Sequence, residues 1–227
     1  MVLQNTSDIT LERMVGNGYS ADKNNGLRVL FVYANTAGDP LVPVGIPQLY
    51  SILKQNGHDA RLFDTTWYRS PFFDTDTGNR ERAATLNIRR TNPEDVGVGF
   101  YNVDIFNSFE KVVGEYKPHI IAISALEMTA KLGFALSNHI RRKGQVIPTI
   151  VGGEYATTSQ RLVFQYDDGD RAVDMICVGE GENLFGQLIN ELARRNPSEE
   201  KIRKIPGLRV RDSTKTGYSE AKWRAVI

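Results

Sequence analysis

The sequence predicts a doubly wound α/β domain: a mostly parallel five-stranded sheet covered by helices on both faces. Three observations carry that expectation. Five short runs are almost wholly apolar and rich in β-branched residues, as strands buried on both faces are. Stretches of helical period separate the runs. Strand and helix alternate, and right-handed crossovers turn such alternation into a parallel sheet. A chain of 227 residues with 41% hydrophobic and 24% charged side chains is ordinary for a globular protein with one large domain.

Residues 1–26 are polar, lack a sustained period and end in Asn24-Asn25-Gly26, so they read as an N-terminal arm. The first strand is Leu27-Arg28-Val29-Leu30-Phe31-Val32-Tyr33. A helix follows with Ile46, Leu49, Tyr50 and Leu53 on one face, stopped by Gly57. Ala60–Phe63 is the second strand. Residues 65–100 are too long for a plain connection and read as an insertion that covers or flanks a ligand site. Ile105, Phe106, Phe109, Val112, Val113 and Tyr116 form the next helical face, ended by Pro118 before the third strand, Ile120–Ser124. Met128, Leu132, Ala135, Leu136 and Ile140 form another, closing on Arg141-Arg142-Lys143 and Gly144. Val146–Val151 is the fourth strand, with Pro148 confined to its start because it has no amide to donate. A short helix is expected near Thr158–Phe164, then the fifth strand, Val173–Val178, and a last long helix on Leu184, Phe185, Leu188, Ile189 and Leu192. The order expected for such a chain is the flavodoxin-like 2-1-3-4-5.

The core domain is thus placed at residues 27–195, and residues 196–227 form a basic C-terminal extension. Residues 191–227 hold 10 Lys and Arg against 5 Asp and Glu. Leu208-Arg209-Val210-Arg211-Asp212 alternates like an edge strand that Lys215–Tyr218 turns into a hairpin. Such charge either keeps a solvated edge from aggregating or docks against another domain or subunit.

Over the whole chain 28 basic and 27 acidic residues leave +1, which argues against a general nucleic-acid binder. No apolar run reaches the length of a membrane span, and the start lacks a signal peptide's apolar core. The single cysteine, Cys177, excludes an intrachain disulfide, a multi-thiolate zinc site and an iron–sulfur cluster held by this chain alone. A cytoplasmic location is the simplest fit.

A ligand of such a fold sits at the carboxyl ends of the strands. The candidates there are Asn35, Thr36 and the loop on to Gly45; Ser124, Leu126 and Thr129; Gly152, Gly153 and Tyr155; and Gly179, Glu180, Gly181 and Glu182. No phosphate loop, dinucleotide fingerprint or Gly-x-Ser-x-Gly elbow occurs, so catalytic residues are not expected in this chain. Small Ser124, Gly152 and Gly153 let a bulky group pass close to the backbone, or mark a tight turn. Glu180 and Glu182 either border the ligand or simply favour a helix N-terminus. His58, His119 and His139 all fall at the opposite, amino-terminal edge, where none would act as a base or metal ligand.

These segments resemble the cobalamin-binding domain of cobalamin-dependent radical S-adenosylmethionine enzymes, the group of anaerobic magnesium-protoporphyrin ester cyclases and C-methyltransferases. The resemblance runs over about residues 27–212: the opening LRVLFVYANTAGDPLVPVGIPQLYSILKQNGHDARLFDTT, the Ser-x-Leu at Ser124-Ala125-Leu126, VGGEYAT at Val151–Thr157, and DMICVGEGENLFGQLINEL followed by IPGLRVRD. It implies that the corrin lies over the carboxyl edge and its nucleotide tail runs down a cleft lined by Ser124, Leu126, Gly152 and Gly153. Gly179–Glu182 and Asn35–Gly45 would border the corrin, with Thr36, Thr129 and Tyr155 among the residues near the cofactor.

Two departures matter. The methionine-synthase type of cobalamin domain has Asp-x-His-x-x-Gly after the first strand, and Asp39-Pro40-Leu41-Val42-Pro43-Val44-Gly45 puts leucine at the histidine place. No imidazole of this chain is therefore expected to ligate cobalt. The family's Cys-x-x-x-Cys-x-x-Cys motif is also absent, so the chain is either a stand-alone carrier or, the favoured expectation, the amino-terminal piece of a longer protein whose C-terminal catalytic domain beyond Ile227 holds the iron–sulfur cluster, S-adenosylmethionine and the small-molecule substrate. The end at Trp223–Ile227 reads as cut. Two rivals remain at this point: a flavodoxin-like FMN electron carrier using Thr36-Ala37-Gly38, and a ligand-free regulatory or interaction module.

Overall fold

The computed structural model describes residues 26–35, 42–69, 99–165 and 172–211, with Phe72 and Gly97. The N-terminal arm, nearly all of the 70–98 part of the insertion, Thr36 and Leu41, and the Lys215–Tyr218 hairpin lie outside them.

The elements in order are β1 (Arg28–Tyr33), α1 (Gly45–Gln55), β2 (Asp59–Asp64), α2 (Ile105–Tyr116), β3 (Ile120–Ser124), α3 (Glu127–Arg142) and β4 (Thr149–Gly152). Then come α4 (Glu154–Thr158), α5 (Gln160–Gln165), β5 (Met175–Cys177), α6 (Gly181–Leu192), α7 (Glu199–Arg203) and β6 (Leu208–Val210). The sheet runs β2-β1-β3-β4-β5-β6. Its first five strands are parallel and in the expected order.

Among the described residues the sheet has six strands where the apolar runs suggested five. β6 lies antiparallel to β5, with Met175 opposite Val210 and Cys177 opposite Leu208. The edge strand read from Leu208–Asp212 therefore completes this same sheet. The boundary expected at residue 195 falls between α6 and α7, ahead of that strand. Leu208 and Val210 are buried while Arg209 between them is half-buried, the alternation of a strand with one packed face.

Helices cover both faces. One layer, α1, α6 and α7, packs Leu53, Leu184, Leu188 and Ile202 onto Phe31, Ala122, Ile150 and Met175. The other, α2 to α5, packs Phe109, Leu136, Tyr155 and Val163 onto Val32, Ile123, Val151 and Ile176. Boundaries follow the local chemistry. The Asp104 carboxylate caps α2 by accepting from the Asn107 N–H at 2.8 Å. Lys117 at φ 50° ends α2 before Pro118. Pro148 precedes β4 and still serves the sheet as an acceptor for the Ile121 N–H at 2.9 Å. The helix expected near Thr158–Phe164 is two short ones, broken at Ser159.

At the amino edge the Arg141 guanidinium and the Asp174 carboxylate form a fully buried ion pair, and Asp174 Oδ2 also accepts from the Thr149 N–H at 2.8 Å. All three histidines of the chain lie at this edge too. His58 Nδ1 accepts from the Leu27 N–H at 3.2 Å and His119 Nδ1 from the Arg28 N–H at 2.9 Å, so both hold the entry to β1. His139 Nε2 pairs with Glu110 at 3.2 Å.

Candidate cofactor-binding site

Parallel strands bring all their carboxyl ends to one edge, and α1, α2, α3, α4 and α6 start there. On the α1/α6 side this edge opens into a cleft of about 340 Å³, within the range of small-molecule sites. Its floor is two rows of side chains set by strand register. Phe31, Ala122 and Ile150 stand level on β1, β3 and β4. One step nearer the edge come Ser124, Gly152 and Cys177 on β3, β4 and β5. A Cβ at Gly152 would stand 3.6 Å from Cys177 Cβ, so these two are neighbours. The small row leaves the opening and the larger row closes its bottom.

The walls are Ile46 and Leu49 of α1 and Phe185 of α6, whose ring lies 5.7 Å from that of Phe31. A Cβ at Gly181 would come within 3.3 Å of Leu49 Cδ2, so glycine there lets the two helix starts approach. Gly153 has a different reason. Its φ of 99° and ψ of −171° belong to glycine alone, and a Cβ would stand 2.9 Å from the Ala125 carbonyl oxygen. That conformation turns the chain from β4 into α4 beneath the cleft's end.

Eight of the thirteen residues expected at the site meet in this cleft: Gly45, Ser124, Gly152, Gly153, Gly179, Glu180, Gly181 and Glu182. Four others have local duties. Asn35 is buried, its backbone N–H donating to Thr65 Oγ1 at 2.8 Å and its amide to Thr66 Oγ1 at 3.0 Å. Thr129 Oγ1 accepts from the Leu126 N–H at 3.2 Å and caps α3, leaving the Leu126 side chain 40% exposed on the same edge. Tyr155 packs in the opposite layer. Thr36 lies outside the described residues. Sequence reasoning missed the lining by Phe31, Leu49, Ala122, Ile150 and Phe185. Strand alternation marks Phe31, Ala122 and Ile150 once Ser124 and Gly152 are given, whereas Leu49 and Phe185 need the packing of α1 against α6. Thr157 was also missed; its hydroxyl accepts from the Gly179 N–H at 3.0 Å and steadies the Gly179–Glu182 loop.

The cleft is mainly apolar with an acidic mouth. Glu180 and Glu182 line it, and among the described residues no Lys or Arg does. Cys177 is buried, as expected of a thiol within a strand, and its pKa is pushed up to about 11, first by burial and then by Glu182 and Glu180. Ser124 Oγ makes no hydrogen bond among the described residues. Nor do three or more His, Cys, Asp or Glu side chains converge anywhere among those residues. No described helix is long and apolar enough to cross a membrane.

A family model described as the B12 binding domain matches residues 31–189. The chain belongs to the B12 binding domain family. The matched span runs from β1 into α6 and so contains all but the last of the sheet. Solved structures share this B12-binding fold. The radical S-adenosylmethionine methyltransferase TsrM from Kitasatospora setae, with tryptophan and an S-adenosylmethionine analogue bound, superposes with a TM-score of 0.57 at 16% identity, covering 85% of this chain and 30% of that one. TsrM with cobalamin and an iron–sulfur cluster gives 0.56 at 16%, with the same coverage of 85% and 30%. The cobalamin-dependent S-adenosylmethionine radical enzyme OxsB, with aqua-cobalamin and S-adenosylmethionine bound, gives 0.57 at 16%, covering 88% and 23%. This B12 binding domain therefore spans less than a third of the length of those proteins. No curated protein matches it.

Proposed function

We propose that this domain binds cobalamin, with the nucleotide tail in the cleft and the corrin over the carboxyl edge. It would present the cofactor to a radical S-adenosylmethionine catalytic domain outside these 227 residues, one that supplies the iron–sulfur cluster, the S-adenosylmethionine site and the substrate pocket. The observation that carries the reading is the cleft itself, in a chain of this family. Its narrow floor of Ser124, Gly152 and Cys177 fits a flat heterocycle entering edge-on, and about 340 Å³ holds a base and sugar while leaving a macrocycle outside.

Bound cobalamin would supply cobalt–carbon chemistry, and the chain's own residues would position it. Ser124 Oγ, without a hydrogen-bond partner among the described residues, is available to the nucleotide. Glu180 and Glu182 accept hydrogen bonds from the amide side chains that a corrin carries. Leu126 and Met128, 40% and 47% exposed at the start of α3, give the edge an apolar surface that sheds water from the macrocycle. We further propose that no histidine of the chain ligates cobalt, since all three are engaged at the far edge. The domain alone is not a catalyst in this reading, and its place is the cytoplasm.

The test is colour. The chain is mixed with hydroxocobalamin or FMN, desalted, and its visible spectrum recorded. Retained cobalamin supports the proposal; FMN retained in its place would make the domain a flavin carrier, and retention of neither would leave an interaction module. An electron paramagnetic resonance spectrum of the Co(II) form with nitrogen splitting from a protein imidazole would refute the ligation part.

A further inference from the structure

We propose that the cleft selects among natural corrinoids by their lower base, taking one with an apolar benzimidazole and rejecting one with a purine. The inference rests on the reading that the nucleotide tail enters this cleft. Deep in it stand Phe31, Ala122 and Ile150, walled by Leu49 and Phe185. The backbone groups between β1, β3 and β4 are already paired in the sheet ladders. Among the described residues the side-chain heteroatoms on the floor are Ser124 Oγ and Cys177 Sγ; the other polar lining, exposed Gln48 and Glu180 with half-buried Glu182, comes from the starts of α1 and α6.

A dimethylbenzimidazole inserted edge-on leads with two methyl groups, which such a floor accommodates without loss. An adenine leads with an exocyclic amine and ring nitrogens. On the floor it exchanges several hydrogen bonds to water for one hydroxyl and one thiol. Each polar group left unpaired in a dry site weakens binding by roughly tenfold. A preference of at least about tenfold for the benzimidazole cofactor follows.

The experiment titrates the 227-residue chain with cobalamin, its adenine-bearing counterpart and cobinamide, which has no base, following absorbance. Each dissociation constant is corrected for the fraction of cofactor whose base is off cobalt. The expected order is cobalamin tightest, then the adenine form by at least about tenfold, with cobinamide no tighter than cobalamin. Equal affinity for the two tailed forms, both above cobinamide, would overturn the selectivity while leaving cobalamin binding in place. Equal affinity for all three would put the tail outside the cleft and overturn it as well. Failure to bind any corrinoid would bring down the functional reading, and the inference with it. Ala122→Ser adds a second hydroxyl to the floor and should narrow the gap between the tailed forms. An unchanged gap would mean that the floor is not its source.

Discussion

Gly152 and Gly153 are adjacent, yet opposite consequences are expected from filling them. At Gly153 the backbone conformation costs any other residue about 1–3 kcal/mol, and the added Cβ would sit 2.9 Å from the Ala125 carbonyl oxygen, which is backbone and cannot rotate away. Gly153→Ala should therefore lose about 3 kcal/mol. For a chain of this size that lowers the melting temperature by roughly 6–12 °C. At Gly152 the new Cβ meets Cys177 Cβ at 3.6 Å, an ordinary contact, and the backbone is that of a strand. Gly152→Ala should then melt within about 2 °C of the parent. Gly152→Leu should also fold, but its branch occupies the slot. A base of tryptophan-like size buries about 150 Å² there, worth about 4 kcal/mol or up to a thousandfold in affinity, all of which the leucine would displace. Thermal melts by circular dichroism and cobalamin titrations read the two effects separately. A stable Gly153→Ala chain, or a Gly152→Leu chain that keeps parental affinity, would refute the division of labour.

Cys177 should react with a disulfide reagent at pH 8 roughly a hundredfold more slowly than a free thiol, because burial holds its pKa up to about 11. Cobalamin should slow it further; acceleration would contradict its place on the cleft floor. Burial pushes Asp174 up to about 6 against the opposing pull of Arg141 and the Thr149 N–H. The folded chain thus keeps a proton that the unfolded chain has released between about pH 4 and 6. Stability from this group is full below that window and lost as pH rises through it. Asp174→Asn should flatten this slope in urea titrations while costing about 3 kcal/mol at pH 7, where Arg141 is left unpaired; an unchanged slope would assign the pH dependence elsewhere. A chain stopped at residue 195 would lack Ile202, Ile205, Leu208 and Val210, all buried. At about 2 kcal/mol each this approaches the whole stability of a domain, and a cooperative melt from that fragment would show that β6 is dispensable.

The parallel part of the sheet was readable because a strand covered on both faces must be apolar along its length, and Ile120–Ser124 stands out on that ground alone. β6 was harder to assign. Three residues with an arginine between two aliphatics announce an edge, but only pairing with Met175–Cys177 says which sheet it edges. α7 has a single buried residue, Ile202, and so no period to detect. At the site the glycines and Ser124 were readable because strand ends in this fold face one crevice. Asn35 occupies the same edge, yet Thr65 and Thr66 just past the end of the neighbouring β2 draw it into the protein, a pairing set by tertiary register. Tyr155 is turned to the other face by the Gly153 conformation, which no side-chain pattern encodes.

The floor of the cleft has a consequence for how binding can be used. Ser124, Gly152 and Cys177, with Phe31 below them, come from four strands that are distant in sequence and level only when every ladder is in register. A slip of one residue in any of them would point a neighbouring aliphatic into the slot and turn the small residue to the opposite layer. No fragment of the chain owns this surface. A ligand seated there favours the one arrangement in which all four strands agree, and stabilises it in proportion to its own affinity. The red of a retained corrinoid would thus report, in a single absorbance reading, that the centre of the sheet has been assembled correctly.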